Sequence, residues 1–268
     1  MILAVPGNKQ SGSKEGISGT MKEYKDILYR QLAADYCCRP EDVADTKNHF
    51  STYQPLEGRR KWQNQKDCYL KIAVINGKLL FSGRPDIIDW CEEQYADSES
   101  AWFFEMNTLQ KINERICKDG YQIGSVHPFF LPDNENEIEQ SGSGYDICWY
   151  EEQEIEQFRG NACYKNAYSF CPEAPDVIGV AALQDGVILG MAGASCDSPS
   201  MWQIGIDVDK HVRQHGIGGL LVSLLKNEIL RRGALPFYGT AMSHIASQKV
   251  ALRAGFLPAW AELSTSER

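Results

Sequence analysis

The feature that most limits the possible folds is an apolar strand that runs directly into a glycine-rich turn and an amphipathic helix. Residues 203–225 read QIGIDVDKHVRQHGIGGLLVSLL, with the strand ending at Val208. Leucines in the second half of this stretch recur at helical spacing and predict a buried helix face. The first N–H groups of a helix have no intrahelical acceptor and carry partial positive charge. The turn therefore predicts an anion site that suits a pyrophosphate.

The glycines at 216, 218 and 219 remove side chains that would keep an anion from these N–H groups, and Arg213 adds a positive charge at the rim. The spacing does not fit the dinucleotide fingerprint G-x-G-x-x-G, because position 221 is a leucine. The preceding strand also ends a series of short antiparallel strands rather than a parallel β-α-β unit.

Short apolar runs separated by turn residues predict this antiparallel series. We expect strands at 147–150, 177–183, 187–194 and 201–208, and a helix at 151–170. After the glycine-rich turn we expect a long helix, a strand at 235–240, a helix at 244–254 and an apolar tail at 256–263.

The first half of the chain predicts a smaller mixed unit. An apolar helical face begins after Met21, and Asn76-Gly77 is typical of a type I′ hairpin turn within 69–81. Two further helices are expected at 85–95 and 98–117. We therefore predict an α+β protein with a flexible segment 1–20, an N-terminal α/β domain 21–135 and a C-terminal domain 140–268 with a mostly antiparallel sheet.

Composition excludes several classes. The formal net charge is −9, which disfavours general nucleic-acid binding. No apolar run approaches the roughly 20 residues of a membrane helix. The nine cysteines include no C-x-x-C pair, so we expect no metal and a reducing, cytoplasmic location.

Two motifs resemble the GNAT N-acetyltransferase superfamily. The arrangement Arg213-x-x-Gly216-x-Gly218 after a strand is similar to the family's Q/R-x-x-G-x-G/A signature. Further along, SHIASQKVALRAGF at 243–256 resembles the family pattern N-x-x-(A/S)-x-x-x-Y-x-x-x-G-F. The amino-acid sequence around both motifs also resembles that of two-domain bacterial acetyltransferases of the zwittermicin-resistance type.

The resemblance implies a GNAT-type sheet and acetyl-CoA as co-substrate, with its pantetheine arm held at a strand end. The cofactor-binding residues that it implies are Ile206, Asp207, Val208, Arg213, Gln214, His215, Gly216, Ile217, Gly218, Gly219, His244 and Ser247. Asp207 alternates with its two neighbours, so its side chain is expected to point away from the cofactor.

The catalytic groups depart from the family pattern. Ala251 stands where many members carry the tyrosine that protonates the departing thiolate, so either water or another phenol, such as Tyr238, supplies that proton. Strand positions that carry a base in other members are Trp202 and Ile204 here. Asp197 is then a candidate base, with a turn-forming role as the alternative.

The expected function is direct acetyl transfer to a primary amine of a small molecule, such as a metabolite or antibiotic, by a monomer or homodimer. Two alternatives stay open, namely a non-catalytic CoA-binding module and a protein N-acetyltransferase. Neither nucleic acid nor a membrane is expected as a partner.

Overall fold

The computed structural model describes residues 20–60, 68–133, 144–213 and 215–268. The helices in these ranges are α1 Met21–Tyr36, α2 Pro40–Ala44, α3 Pro85–Tyr95, α4 Met106–Ile116, α5 Glu152–Ile155, α6 Ile217–Arg231 and α7 Ile245–Arg253. The strands are β1 His49–Thr52, β2 Leu70–Ile75, β3 Lys78–Gly83, β4 Tyr121–Pro132, β5 Asp146–Glu151, β6 Asp176–Gln184, β7 Val187–Ser195, β8 Met201–Val208, β9 Leu235–Gly239 and β10 Phe256–Glu267.

All ten of these strands form one sheet. The predicted fold class, a mixed and mostly antiparallel sheet flanked by helices, is confirmed, but the sequence analysis did not predict that both halves contribute to the same sheet. Their order is β1-β3-β2-β10-β4-β9-β8-β7-β6-β5. Only the β1–β3 and β8–β9 pairs are parallel. The predicted series of antiparallel strands is confirmed as β5 to β8, each paired with the next.

The two halves of the chain share this sheet. Strand β10, from the C-terminal end, pairs antiparallel with β2 and β4, which both come from the first half. Strand β4 in turn pairs with β9. The division into domains 21–135 and 140–268 stays a prediction, and the flexible segment 1–20 lies outside the described residues except for Thr20.

Local signals account for several element boundaries. Thr20 caps α1 in a capping box with Glu23. The turn residues Asn76 and Gly77 have φ values of 49° and 80°, as a type I′ turn requires. The helix α6 is followed by Gly233 with φ 81°, the position where glycine ends helices.

The prediction of a continuous helix at 151–170 is wrong. Only α5 and two short 3₁₀ turns, Glu156–Phe158 and Ala162–Tyr164, form in that stretch. Gly160 has φ 79°, a left-handed backbone conformation that interrupts the helix. Residues 166–168 then lie against β6 to β8. The helix expected at 98–117 begins only at Met106.

Helices cover both faces of the sheet. Helix α6 packs on one face of β6 to β8, where Ile178, Val180 and Ile204 form a core with Leu221 and Leu225. Helix α1 packs on the opposite face, over β4, β9 and β10. None of the helices in the described part is long and apolar enough to cross a bilayer.

Candidate active site

The candidate active site is the place where β8 and β9 separate. Their parallel pairing runs from Met201↔Leu235 to Ile204↔Tyr238 and then stops. Strand β8 continues to Val208 while it remains paired with β7 on its other side. Among the described residues, the last four of β8 therefore have no register partner on β9, and one edge of the strand is open.

Hydrogen bonds at both ends of β8 show which of its main-chain groups face the open edge. Leu235 N donates to Ser200 O at 2.8 Å, so even-numbered residues point their polar groups toward β9. Asp209 N donates to Leu189 O at 2.8 Å, so odd-numbered residues point theirs toward β7. By this alternation, the N–H and C=O groups of Ile206 and Val208 face the gap.

The gap leads to the N-terminus of α6. Gly216 adopts φ 85° as the residue before the helix, and Ile217 begins the first turn. Arg213 is exposed, and its Nε donates to Val208 O at 3.3 Å, which holds its side chain beside the strand end. His215 is also exposed, with its Nδ1 3.1 Å from Val212 O. Gln214 lies outside the described residues.

The glycines of this turn have more than one function. A Cβ at Gly218 would lie 3.3 Å from Val250 Cγ2 and 3.5 Å from Val208 Cγ2. A Cβ at Gly219 would lie 3.4 Å from Arg253 Cβ. These two glycines therefore let α6 pack closely on α7 and β8, in addition to leaving the helix N-terminus uncovered.

Two of the predicted residues, Tyr238 and Ser247, are in contact between β9 and α7. The Tyr238 hydroxyl on β9 lies 2.8 Å from Ser247 Oγ on α7. Tyr238 is only 2% exposed, and burial raises the pKa of its phenol above the ordinary value of 10.0, so it stays protonated at neutral pH. Ala251, one turn after Ser247, is fully buried in the α6 core.

The structure gives Asp197 a role other than that of the predicted base. It lies before the start of β8, and Met201 to Ile206 alone spans roughly 17 Å of strand. Its side chain has no exposed surface, and its Oδ1 accepts from Ser195 Oγ at 2.6 Å. Burial raises the pKa of this carboxyl to about 6, but the perturbed group is at the wrong end of the strand for proton transfer at the gap.

Asp207 points away from the α6 face, as the alternation predicts, and holds a loop on the opposite face. Its Oδ2 accepts from Asn166 N at 2.8 Å and Ala167 N at 3.0 Å. Its Oδ1 accepts from Asn166 Nδ2 at 2.6 Å. The carboxylate is thus used to fix residues 166–167 beside the open strand end.

A row of three glycines, which the sequence analysis missed, receives this loop. Gly179, Gly193 and Gly205 lie opposite one another on β6, β7 and β8. A Cβ at Gly193 would lie 2.2 Å from Ala167 O, and one at Gly205 would lie 1.8 Å from Asn166 O. Glycine in the interior of a predicted strand is a known sign of close backbone approach, and that signal was available in the sequence.

The predicted residue His244 and several other charged or aromatic residues of the C-terminal half are dispersed. His244 precedes α7, and it is exposed, as are Lys249 and Arg253 on that helix. Trp149 is 40% exposed on β5, the outermost strand at that side of the sheet, far from Tyr238. The aromatic residues of the C-terminal half therefore do not form one pocket. Asp207 is the only titratable side chain within β8 itself.

Comparison with known proteins supports the GNAT acetyltransferase family for this part of the molecule. Residues 134–256, just under half of the chain, match the model of the Acetyltransferase (GNAT) family. These residues include the gap, the glycine-rich turn and α7. No curated protein gave a significant match.

Three solved structures illustrate the range of sequence identity and coverage among those that resemble this chain. A GCN5-related N-acetyltransferase-like protein from Streptococcus suis is 14% identical, with a TM-score of 0.47, and the alignment covers 93% of this chain and 100% of that one. A GCN5-related N-acetyltransferase from Kribbella flavida is 17% identical, with a TM-score of 0.44 and coverage of 59% and 63%. An aminoglycoside N-acetyltransferase in complex with CoA is 25% identical, with a TM-score of 0.35 and coverage of 46% and 93%. These scores are low, so the functional argument depends on the family match and the site geometry.

Proposed function

We propose that this protein is an acetyl-CoA-dependent N-acetyltransferase that acts on a primary amine of a small molecule. The observation that carries the proposal is the open edge of β8, where the main-chain groups of Ile206 and Val208 face a gap that leads to the α6 N-terminus. Strand groups that face the gap suit the amides of a pantetheine arm, although Val208 O accepts from Arg213 Nε in this structure. The first N–H groups of a helix suit a pyrophosphate. Acetyl-CoA, when bound, supplies an activated acetyl thioester.

The residues of the chain contribute orientation and a proton. The Ile206 N–H is the donor placed to polarise a carbonyl in the gap, which is the role of an oxyanion-stabilising group. The Tyr238 hydroxyl, with Ser247 as its hydrogen-bond partner, holds the proton for the departing sulfur. Arg213 adds charge at the rim near the pyrophosphate position. We do not assign a general base, so the amine must arrive neutral.

The finer resemblance to two-domain acetyltransferases of the zwittermicin-resistance type stays a prediction. The replacement of the family's tyrosine by Ala251 favours one competing function, a CoA-binding module without turnover. The pairing of Tyr238 with Ser247 supports the enzyme instead, because it supplies a buried phenol close to α7.

Calorimetry and thiol release test the proposal together. We expect acetyl-CoA to bind and free thiol to appear when a panel of small amines is added. Arg213→Ala should weaken acetyl-CoA binding only about threefold to tenfold, because main-chain donors carry most of the contact. Arg231→Ala is the matched control, since this exposed arginine lies in the last turn of the same helix and pairs with Glu228.

The competing outcomes are separable. Tight binding without thiol release for any amine would favour the non-catalytic module. Acetylation of lysines or N-termini of proteins, with small amines inert, would favour a protein acetyltransferase. Absence of acetyl-CoA binding to the folded protein would refute the proposal.

A further inference from the structure

A polar cavity of about 140 Å³ lies on the α1 face of the sheet, where the two halves of the chain meet. Strands β2, β4 and β10 form its floor, and the end of α1 forms a wall. The polar side chains that line it include those of Tyr36, Lys71, Ser125, His127, Glu262, Ser264 and Thr265. A cavity with this lining is built from both halves and cannot be recognised in either one alone.

A buried ion cluster supports the cavity wall. Arg60 has a side chain with no exposed surface, and its Nε lies 2.5 Å from Asp35 Oδ2. The Arg60 Nη2 group also pairs with Glu262, which in turn accepts from Trp260 Nε1 at 2.8 Å. This arrangement fixes the cluster but leaves Arg60 Nη1 buried without a hydrogen-bond partner in the described part of the chain.

Two donors belong to residues that line the cavity, Tyr36 and Lys71. The Tyr36 hydroxyl is buried and finds no hydrogen-bond partner among the described residues. The Lys71 ammonium lies 4.7 Å from the centre of the Tyr36 ring, and Lys71 is only 7% exposed. In the ranges that the structure describes, no carboxylate lies within ion-pair distance of this ammonium. An ammonium offers three donors. The Tyr36 hydroxyl is the lining group whose missing acceptor costs free energy, because it is buried.

The cavity lies close to the gap in the sheet. Phe129 lines the cavity and pairs with Gly239, the last residue of β9. A Cβ at Gly239 would lie 2.7 Å from Phe129 Cε1, so this ring separates the cavity from the end of β9. Strand β4 continues from Phe129 through His127 and Ser125 in the direction in which the gap opens. An acceptor molecule could therefore have one end in the cavity and its amine toward the gap.

We propose that this cavity binds a carboxylate of the acceptor, so that the substrate class is an amine that also carries a carboxylate, as in an amino acid. The inference rests on the proposed acetyltransferase function. The Lys71 ammonium and the Tyr36 hydroxyl, which both belong to residues that line the cavity, are the donors for the carboxylate oxygens. A carboxylate accepts hydrogen bonds only, which matches a site that offers an ammonium and a hydroxyl without a partner among the described residues.

Matched substrates test the substrate class. Thiol release from acetyl-CoA is measured with pairs that differ only by the carboxylate, namely lysine and cadaverine, phenylalanine and phenethylamine, and tryptophan and tryptamine. We expect at least a tenfold higher kcat/KM for the carboxylated member of the pairs that react. Equal or better turnover of the decarboxylated members would overturn the inference and leave the acetyltransferase function intact.

Single-atom variants test the donors. Tyr36→Phe should raise KM for the carboxylated amine about fivefold or more, while KM for acetyl-CoA is unchanged. The same variant should be as stable as the parent or more so, because it removes an unsatisfied buried hydroxyl. Tyr95→Phe is the matched control: its hydroxyl is also buried without a partner among the described residues, but it lies in a separate core under α3.

Lys71→Met completes the test by removing the ammonium and keeping the length of the side chain. We expect a rise of at least tenfold in KM for the carboxylated amine and no change for its decarboxylated partner. If Lys71→Met fails to fold, Tyr36→Phe still decides the question. Unchanged KM in Tyr36→Phe would refute the site, whereas loss of acetyl-CoA binding in the parent protein would refute the underlying function.

Discussion

Tyr238 is the residue on which the proposed chemistry most depends. Its phenol is buried on β9 and contacts Ser247, in a protein where the usual helix position carries Ala251. Burial raises the pKa of Tyr238 above its ordinary value of 10.0, so the phenol keeps its proton at neutral pH. It can therefore serve as an acid while the amine serves as a nucleophile without a protein base.

We predict that Tyr238→Phe lowers kcat about 100-fold and leaves KM for acetyl-CoA within about twofold. In the parent protein, kcat/KM should rise with pH toward the pKa of the amine, because no protein base titrates near neutrality in this scheme. Thiol release from pH 6 to 10 measures both effects. Ser247→Ala should be milder, since it removes only the partner of the hydroxyl. A Tyr238→Phe enzyme with parental kcat would assign the proton to water.

Asp197 shows how a perturbed group can be structural. Burial raises the pKa of Asp197 from 3.8 to about 6, so the folded state binds its proton more tightly than the unfolded state does. The contribution of this group to the free energy of unfolding therefore falls as pH rises from about 4 to about 6 and stays low above that. The difference corresponds to about 3 kcal/mol at most.

We predict that Asp197→Asn increases the free energy of unfolding at pH 8 and changes it little at pH 4, because asparagine carries no charge to bury. Urea unfolding at the two pH values measures this difference. Acetyl transfer should be unaffected, since Asp197 lies at the far end of β8 from the gap. A folded variant that lost turnover at every pH would restore Asp197 as a catalytic candidate.

At the scale of elements, the segment 166–168 and the glycine row form one unit. The segment lies directly on Gly179, Gly193 and Gly205. The Asp207 carboxylate holds the segment by accepting hydrogen bonds from the main-chain N–H groups of Asn166 and Ala167. Asp207 stands between the two residues whose main chains face the gap. The loop on one face and the open edge of β8 are therefore linked through a single strand residue.

We predict that Gly205→Ala destabilises the protein by about 1–3 kcal/mol, because its Cβ would overlap the Asn166 carbonyl oxygen. Gly124→Ala is the control, since it is also a strand glycine but its Cβ would come no closer than 3.3 Å to another atom. Thermal unfolding of both variants measures the difference. Equal melting temperatures would show that the loop does not lie on this strand.

At the scale of the whole molecule, strands from both halves of the chain alternate in one sheet. This arrangement decides whether either half can fold without the other. Strand β4 belongs to the first half by sequence, yet it lies between β9 and β10 of the second half. A chain that starts after β4 would leave β9 and β10 without the strand that joins them. Burial of the Arg60–Glu262 pair also requires both halves.

We predict that residues 140–268 expressed alone are insoluble or unfolded, and that co-expression with residues 1–135 restores a soluble two-chain complex. Size-exclusion chromatography and circular dichroism measure the outcome. The intact protein should unfold in one transition rather than two. An isolated 140–268 segment that folds and binds acetyl-CoA would support two independent domains and contradict this expectation.

The sequence by itself determined the local elements and predicted the type of chemistry that we propose. The Asn76-Gly77 turn, the glycine that ends α6 and the alternation in β6 to β8 follow from backbone preferences and periodicity, which act over a few residues. The strand–turn–helix signature also predicts a cofactor-binding edge on β8, which stays a prediction. Only the tertiary structure decided the pairing of β4 with β9 and β10, the loop on the glycine row, the contact of Tyr238 with Ser247 and the cavity beside Phe129. These features depend on contacts between residues far apart in the chain, such as Arg60 and Glu262, for which local patterns carry no information.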